Sequence, residues 1–155
     1  FINNLHKIIM VDMFNLDNID KQIISILQNE GRDSASHIAE EIGMSVPAVT
    51  DRIRKLQDSN VITGFQAIVD PRMLGLDVSA LITIISESSD HYTEVVEFAK
   101  NTDEVIQCFT TTGNGSHVLI VQTENTRSLE RLLRKIQAWP GVIRTETQII
   151  LSNYK

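Results

Sequence analysis

Apolar residues at helical spacing dominate the early chain. Ile19, Ile23, Ile26 and Leu27 fall at i, i+4, i+7 and i+8, one face of a helix. Asp17 suits the N-cap, Asp20 suits the positive end of the dipole and Gly31 supplies a stop, so the spacing predicts a helix over about 18–30. Ile38, Ala39 and Ile42 give the inner face of a second helix, 35–42, capped by Ser34. Gly43 takes the left-handed position that ends it, and Met44 is the turn. Ser45 caps a third helix. Pro47 sits in its first turn, where no backbone N–H is needed, and Val49, Ile53 and Leu56 form its buried stripe. That helix stops near Ser59-Asn60, since asparagine can stand in for glycine as a left-handed cap. Helix, helix, tight glycine turn, helix is the tri-helical helix-turn-helix layout.

The period then changes. Val61-Ile62 and the run 65–69 read as an extended strand, Asp70-Pro71 breaks it, and Leu74-Gly75-Leu76 closes a turn. Val78–Ser86 is a continuous β-branched run, suited to a strand buried on both faces. Tyr92, Val95, Val96 and Ala99 make a helical stripe, capped from Ser89 or Asp90. Strands are expected at 105–112 and 118–123 around a Gly113-Asn114-Gly115-Ser116 hairpin turn. Leu129, Leu132, Leu133 and Ile136 form another stripe, Trp139-Pro140-Gly141 ends it, and 142–151 is a last strand. The order βαββαβ is the ferredoxin-like split βαβ. Helices on one face leave the other face bare, and a second subunit usually covers such a face, so a homodimer is expected. The fold class is α+β, a helix-turn-helix domain followed by a ferredoxin-like domain. Boundaries are expected at 16–60 for the helical domain, 61–76 for a strand and linker, and 77–155 for the second domain. Residues 1–15 read as an extension, poorly ordered or non-native in part before Met10 or Met13.

Charge sharpens the picture. The net charge is −6, and the chain through residue 70 carries 6 Lys and Arg against 10 Asp and Glu. A generally basic nucleic-acid binder is excluded, so any DNA contact must come from a local basic face. With Val49, Ile53 and Leu56 turned inward, the third helix leaves Pro47, Ala48, Thr50, Asp51, Arg54 and Lys55 outside, with Arg52 on the flank. From Ser45 to Leu56 there are three cations and one anion, inside an otherwise acidic segment. Small residues near the helix start allow close approach to base edges, and the cations after them can reach phosphates. A plain three-helix bundle with a solvated charged face accounts for the same pattern. The single cysteine, Cys108, excludes an intrachain disulfide and reads as a small buried hydrophobe. No zinc spacing, catalytic constellation or membrane-length apolar run is present, so neither a metal nor an enzyme is expected, and a cytoplasmic location fits. His37 and His91 read as surface residues near helix starts.

The two halves together resemble the Lrp/AsnC (leucine-responsive, feast/famine) transcription regulators. The resemblance is carried by Leu16-Asp17, Asp20, Ile26-Leu27, Gly31-Arg32, Ser34, Ile38-Ala39, Ile42-Gly43, Ser45, Val49, Arg52-Ile53, Leu56, Val61-Ile62, Gly64, Pro71, Gly75, Gly113, Pro140-Gly141-Val142, Thr145 and Thr147. It implies a winged or wing-linked helix-turn-helix, then an ACT-like regulatory domain that binds ligand and oligomerises. It also implies double-stranded DNA as partner, dimers that can assemble into octamers, and DNA binding tuned by an amino acid or related small metabolite. Ser45, Pro47, Ala48, Thr50 and Asp51 would face bases, while Arg52, Arg54 and Lys55 would mainly hold phosphates. The effector, where family members bind one, sits between dimers near the loop Gly113, Asn114, Gly115 and Ser116. Many members place an acid where this chain has Ser116, and a hydroxyl is the weaker partner for an ammonium group. Thr145 and Thr147 share one face of the last strand and could add hydroxyls, or serve β-propensity alone. Two rival functions remain: an architectural DNA-wrapping protein without effector control, and a stand-alone metabolite-sensing module.

Overall fold

A computed structural model describes residues 15–154, and the expectation for an extension at 1–15 falls, apart from Asn15, outside the described residues. The chain divides into two compact units between Ile68 and Val69.

The first unit holds three helices, α1 (Asn18–Asn29), α2 (Ala35–Ile42) and α3 (Val46–Asp58). Each begins at a residue whose side chain satisfies a backbone N–H that the helix cannot. Asp17 and Asp20 form a reciprocal capping box on α1, Ser34 accepts from His37 N, and Ser45 accepts from Ala48 N. Gly43 has φ 68° and makes the tight turn between α2 and α3, where an L side chain would be strained. Asn60 closes the unit's last helical turn at φ 57°, the left-handed stop the sequence called for. Ile23, Leu27, Ile38, Ala39, Val49 and Leu56 are buried together, and Ile42 and Ile53 pack at the rim. Each large aliphatic fully removed from water here contributes about 1.5–3 kcal/mol.

The extended strand expected from Val61 does not form. Val61 N and Ile62 N both donate back to Leu56 O, at 2.9 and 3.0 Å, so they finish α3. Residues 63–70 carry no sheet pairing, and the segment therefore forms no wing within the chain. β-Branched composition favours extended backbone, but a strand also needs a neighbour for its ladder bonds. Phe65 is 50% exposed and Ile68 99%, consistent with a segment lacking a partner in this chain. A 3-10 turn at Pro71–Leu74, capped by Asp70 and closed by Gly75, follows.

The second unit contains β1 (Val78–Ser86), α4 (Tyr92–Lys100), β2 (Val105–Thr110), β3 (His117–Thr123), α5 (Thr126–Gln137) and β4 (Val142–Ile150). The strands form one antiparallel sheet in the order β2-β3-β1-β4, the ferredoxin-like arrangement. His91, rather than Ser89 or Asp90, is the N-cap of α4, and no side chain caps it. Ala80, Ile82 and Ile84 of β1 and Leu119 and Val121 of β3 are buried with Val95, Ala99, Leu129, Leu132, Ile136 and Trp139. Leu81, Ile85, Val118 and Ile120 alternate with them on the opposite face and lie outside that cluster. Phe109, paired with Val118, stays 47% exposed on that same face.

Candidate nucleic-acid interface and effector loop

After the glycine turn at Gly43 and the Ser45 cap, α3 buries Val49 and Leu56 and leaves its other face exposed. Ser45, Pro47, Thr50, Arg54 and Lys55 are exposed, and Ala48, Asp51 and Arg52 are half-buried. The structure thus brings all eight sequence-chosen residues onto one helix and its cap. Ser45 Oγ is already turned to Ala48 N at 3.4 Å, and Thr50 Oγ1 donates to Val46 O at 2.9 Å, so both hydroxyls are oriented by the helix itself. A hydroxyl held in this way still has lone pairs to offer a base edge.

The cations are less available than the sequence implies. Asp51 accepts from Arg54 Nη2 at 2.6 Å and lies 2.8 Å from Lys55 Nζ. Lys55 first, then Arg54, holds the Asp51 carboxyl below its ordinary range. Arg52, the third cation expected to hold phosphate, is paired within its own unit. Its Nη1 donates to Asp20 Oδ1 at 2.7 Å and to Asp17 Oδ2 at 2.8 Å. These are the two residues of the α1 capping box, and Asp20 is only 6% exposed. The backbone N–H of Asp20 and the Arg52 guanidinium hold the Asp17 carboxyl below its ordinary range. Asp20 and Asp17 in turn hold the Arg52 guanidinium more firmly protonated. Arg52 therefore ties α3 to the start of α1. Sequence reasoning missed this tie, although the Asp-x-x-Asp spacing at a helix start offered half of the signal.

The loop between β2 and β3 is pinned from below. Ser116 N donates to Ile84 O at 2.8 Å, and Thr111 N donates to Ser116 O at 3.0 Å. Gly115 approaches β1 so closely that a Cβ there would run into the Thr83 methyl. Gly113 has φ 101° and, with Asn114, stands exposed at the tip. Ser116 itself is 6% exposed, and its Oγ lies 2.7 Å from Ser86 Oγ and 3.0 Å from His117 Nδ1. The Ser116 hydroxyl is thus already engaged within the fold. His117 is fully buried, meets the Tyr92 ring edge-on at 4.9 Å, and its Nε2 has no partner among the described residues. Burial lowers its pKa.

Thr145 and Thr147 do share a face, as their spacing of two requires. Their register partners are Ile84 and Ile82, so that face is the one the helices cover. Gln137 Nε2 donates to Thr145 Oγ1 at 3.1 Å. β1 lies between β3 and β4, so within the chain these threonines and the Gly113–Ser116 loop are on strands separated by β1. Cys108 is half-buried, and burial pushes its thiol up, in keeping with a packing role. Among the described residues no group of His, Cys, Asp or Glu could hold a metal ion, and no helix is long and apolar enough to cross a membrane.

A capped three-helix unit with an exposed reading helix, joined to a ferredoxin-like sheet domain, defines a class: helix-turn-helix transcription regulators that carry a second domain. The comparisons narrow it. Residues 16–57 match the AsnC-type helix-turn-helix domain and residues 78–155 the Lrp/AsnC ligand binding domain. Among similar proteins, the HTH-type transcriptional regulator FL11 of Pyrococcus horikoshii is 37% identical, over 90% of this chain and 92% of its own. The regulatory protein AsnC of Haemophilus influenzae is 34% identical, over 91% of this chain and 95% of its own. The structure of AsnC from E. coli superposes with a TM-score of 0.81 at 31% identity, covering 90% of this chain and 95% of that one. A feast or famine regulatory protein from M. tuberculosis, complexed with L-methionine, gives 0.85 at 32% identity with the same coverage of both chains. The chain belongs to the Lrp/AsnC family of transcription regulators, and it is not an enzyme.

Proposed function

We propose that this protein is a homodimeric, cytoplasmic regulator that reads a two-fold symmetric DNA site through α3 and is switched by an amino acid or related small metabolite. The observation carrying this reading is the exposed face from Ser45 to Lys55, held by Gly43 and the Arg52 tie, in one chain with a domain of the ligand-binding family. Ser45, Pro47, Ala48, Thr50 and Asp51 approach base edges, and Arg54 and Lys55 reach phosphates. Two α3 helices per dimer enter major grooves about 34 Å apart. Residues 16–60 serve DNA binding, 61–76 link, and 77–155 pair subunits and take effector. The sheet face bearing Leu81, Ile85, Phe109, Val118 and Ile120 supports dimer formation, since an apolar face of this kind is usually covered by a second subunit. Octamers are the further assembly that the family relation supports.

An amino acid as effector is supported by the L-methionine held by the M. tuberculosis protein. Because the Ser116 hydroxyl is engaged with Ser86 and His117, effector contacts fall to the exposed tip at Gly113 and Asn114 and to Gly115 beside it, chiefly their backbone groups. A thermal-shift screen with the twenty amino acids tests this. A binder at 100 times its dissociation constant adds about 2.7 kcal/mol to stability. At least one should raise the melting temperature, and no response to any of them would remove amino acids from the effector class.

A further inference from the structure

Resting on the DNA-binding reading above, we propose that the outer face of α5 is a second contact for the DNA backbone, supplied by the sheet domain. Arg127, Arg131 and Lys135 stand at i, i+4 and i+8, all exposed. Helical geometry spaces them in steps of about 6 Å along a line of about 12 Å. None has a carboxylate within 4.0 Å among the described residues; Arg131 touches only Ser128 Oγ, at 3.2 Å. Arg134, beside them, is held by Glu130 at 2.8 Å. On α3, by contrast, Arg52, Arg54 and Lys55 are all engaged by aspartates.

The concentration of charge is local. α5 carries 4 Lys and Arg against 1 acid, whereas the rest of residues 69–155 carries 4 against 10. Helix stability does not explain the stripe. Arg134 and Lys135 in the last turn suit the dipole, but Arg127 stands in the first turn, where a cation is disfavoured, and no acidic residue offsets it there. An evenly spaced row of unpaired cations on a convex helix fits an extended polyphosphate. Duplex DNA, with a charge about every 1.7 Å of its axis, presents one. The row carries no pattern of groups that would read bases, so the contact is independent of sequence.

The test compares the wild type with Arg127→Gln/Arg131→Gln/Lys135→Gln in salt titrations. One duplex of about 25 bp just spans two half-sites, and a second is several times longer. Loss of three phosphate contacts lowers the slope of log affinity against log salt by about 2.7 per engaged helix. The expected result is that drop on the long duplex. An exposed, charge-matched control, Arg72→Gln/Lys100→Gln/Arg144→Gln, should leave both slopes intact. An unchanged slope for the stripe variant on long DNA overturns the proposal, as does an equal drop in the control. Wild-type binding to the short duplex with no added salt dependence on the long one overturns the proposal and leaves the DNA-binding reading standing. Failure of the wild type to bind either duplex at about 50 mM salt overturns both.

Discussion

Arg52, on the reading helix, donates to the nearly buried carboxylate of Asp20 at 2.7 Å, across 32 residues of sequence. The same nitrogen reaches Asp17 at 2.8 Å, so one guanidinium clasps both members of the α1 capping box. The clasp holds α3 against the start of α1 and pairs the Arg52 charge with carboxylates of its own unit. Arg52, expected from the sequence to hold phosphate, is bound by two carboxylates of its own unit.

Arg52→Gln should lower the melting temperature by roughly 4–8 °C, because Asp20 is left buried without its cation. DNA affinity should fall with it, while the salt slope stays at the wild-type value. Fluorescence anisotropy across a salt series reads both quantities. A slope lower by about 0.9 would instead make Arg52 a phosphate contact.

Arg54→Ala should do what Arg52→Gln does not, weakening binding to all sequences and reducing the slope by about 0.9. Asp51→Asn acts in the opposite sense. Without its carboxylate, Arg54 and Lys55 turn outward and the local face gains a positive charge, so affinity for random duplex at low salt should rise about threefold or more. A fall in affinity would mean that Asp51 orients the two cations productively.

How much of this was legible depended on distance along the chain. Gly43 and Asn60 announced their left-handed conformations because φ is a property of the residue itself. Helix faces and βαββαβ order followed from periodicity, which is local too. The Arg52 clasp was not legible, because a pair 32 residues apart depends on how α1 and α3 pack. The run at 61–69 misled for the converse reason: its composition favours extension, but pairing is not encoded in one segment. A spacing of two puts Thr145 and Thr147 on one face, and only register with Ile84 and Ile82 says which face.

His117 makes the sheet domain sensitive to acid. Burial places its pKa in the folded protein below the ordinary value of 6.5, so the unfolded chain binds the proton first. Stability is therefore complete above pH 6.5 and is lost as the pH falls from there toward the depressed folded value. Trp139 is the only tryptophan and lies in this unit's core, so its fluorescence in urea titrations at pH 7.5 and 5.5 reports the effect. The His117→Phe variant keeps a ring against Tyr92 and should flatten the dependence. An unchanged pH dependence in that variant would place the titrating group elsewhere.

Gly115→Ala should destabilise the sheet domain by about 1–3 kcal/mol, since the new methyl overlaps Thr83 and crowds Ile84 O. The loop above it should lose effector response along with that stability. A neutral substitution would mean that the loop moves away from β1 at little cost, which the Ser116 N to Ile84 O bond opposes.

The most direct test of the account is selection of the protein's preferred duplex from a random pool, followed by its affinity relative to unselected DNA. The expected outcome is a two-fold symmetric site, with half-sites about one helical turn apart, bound at least about 10³-fold more tightly than random duplex. A pool that shows no enrichment, with equal affinity for every duplex, would contradict sequence reading by α3 and leave only backbone binding.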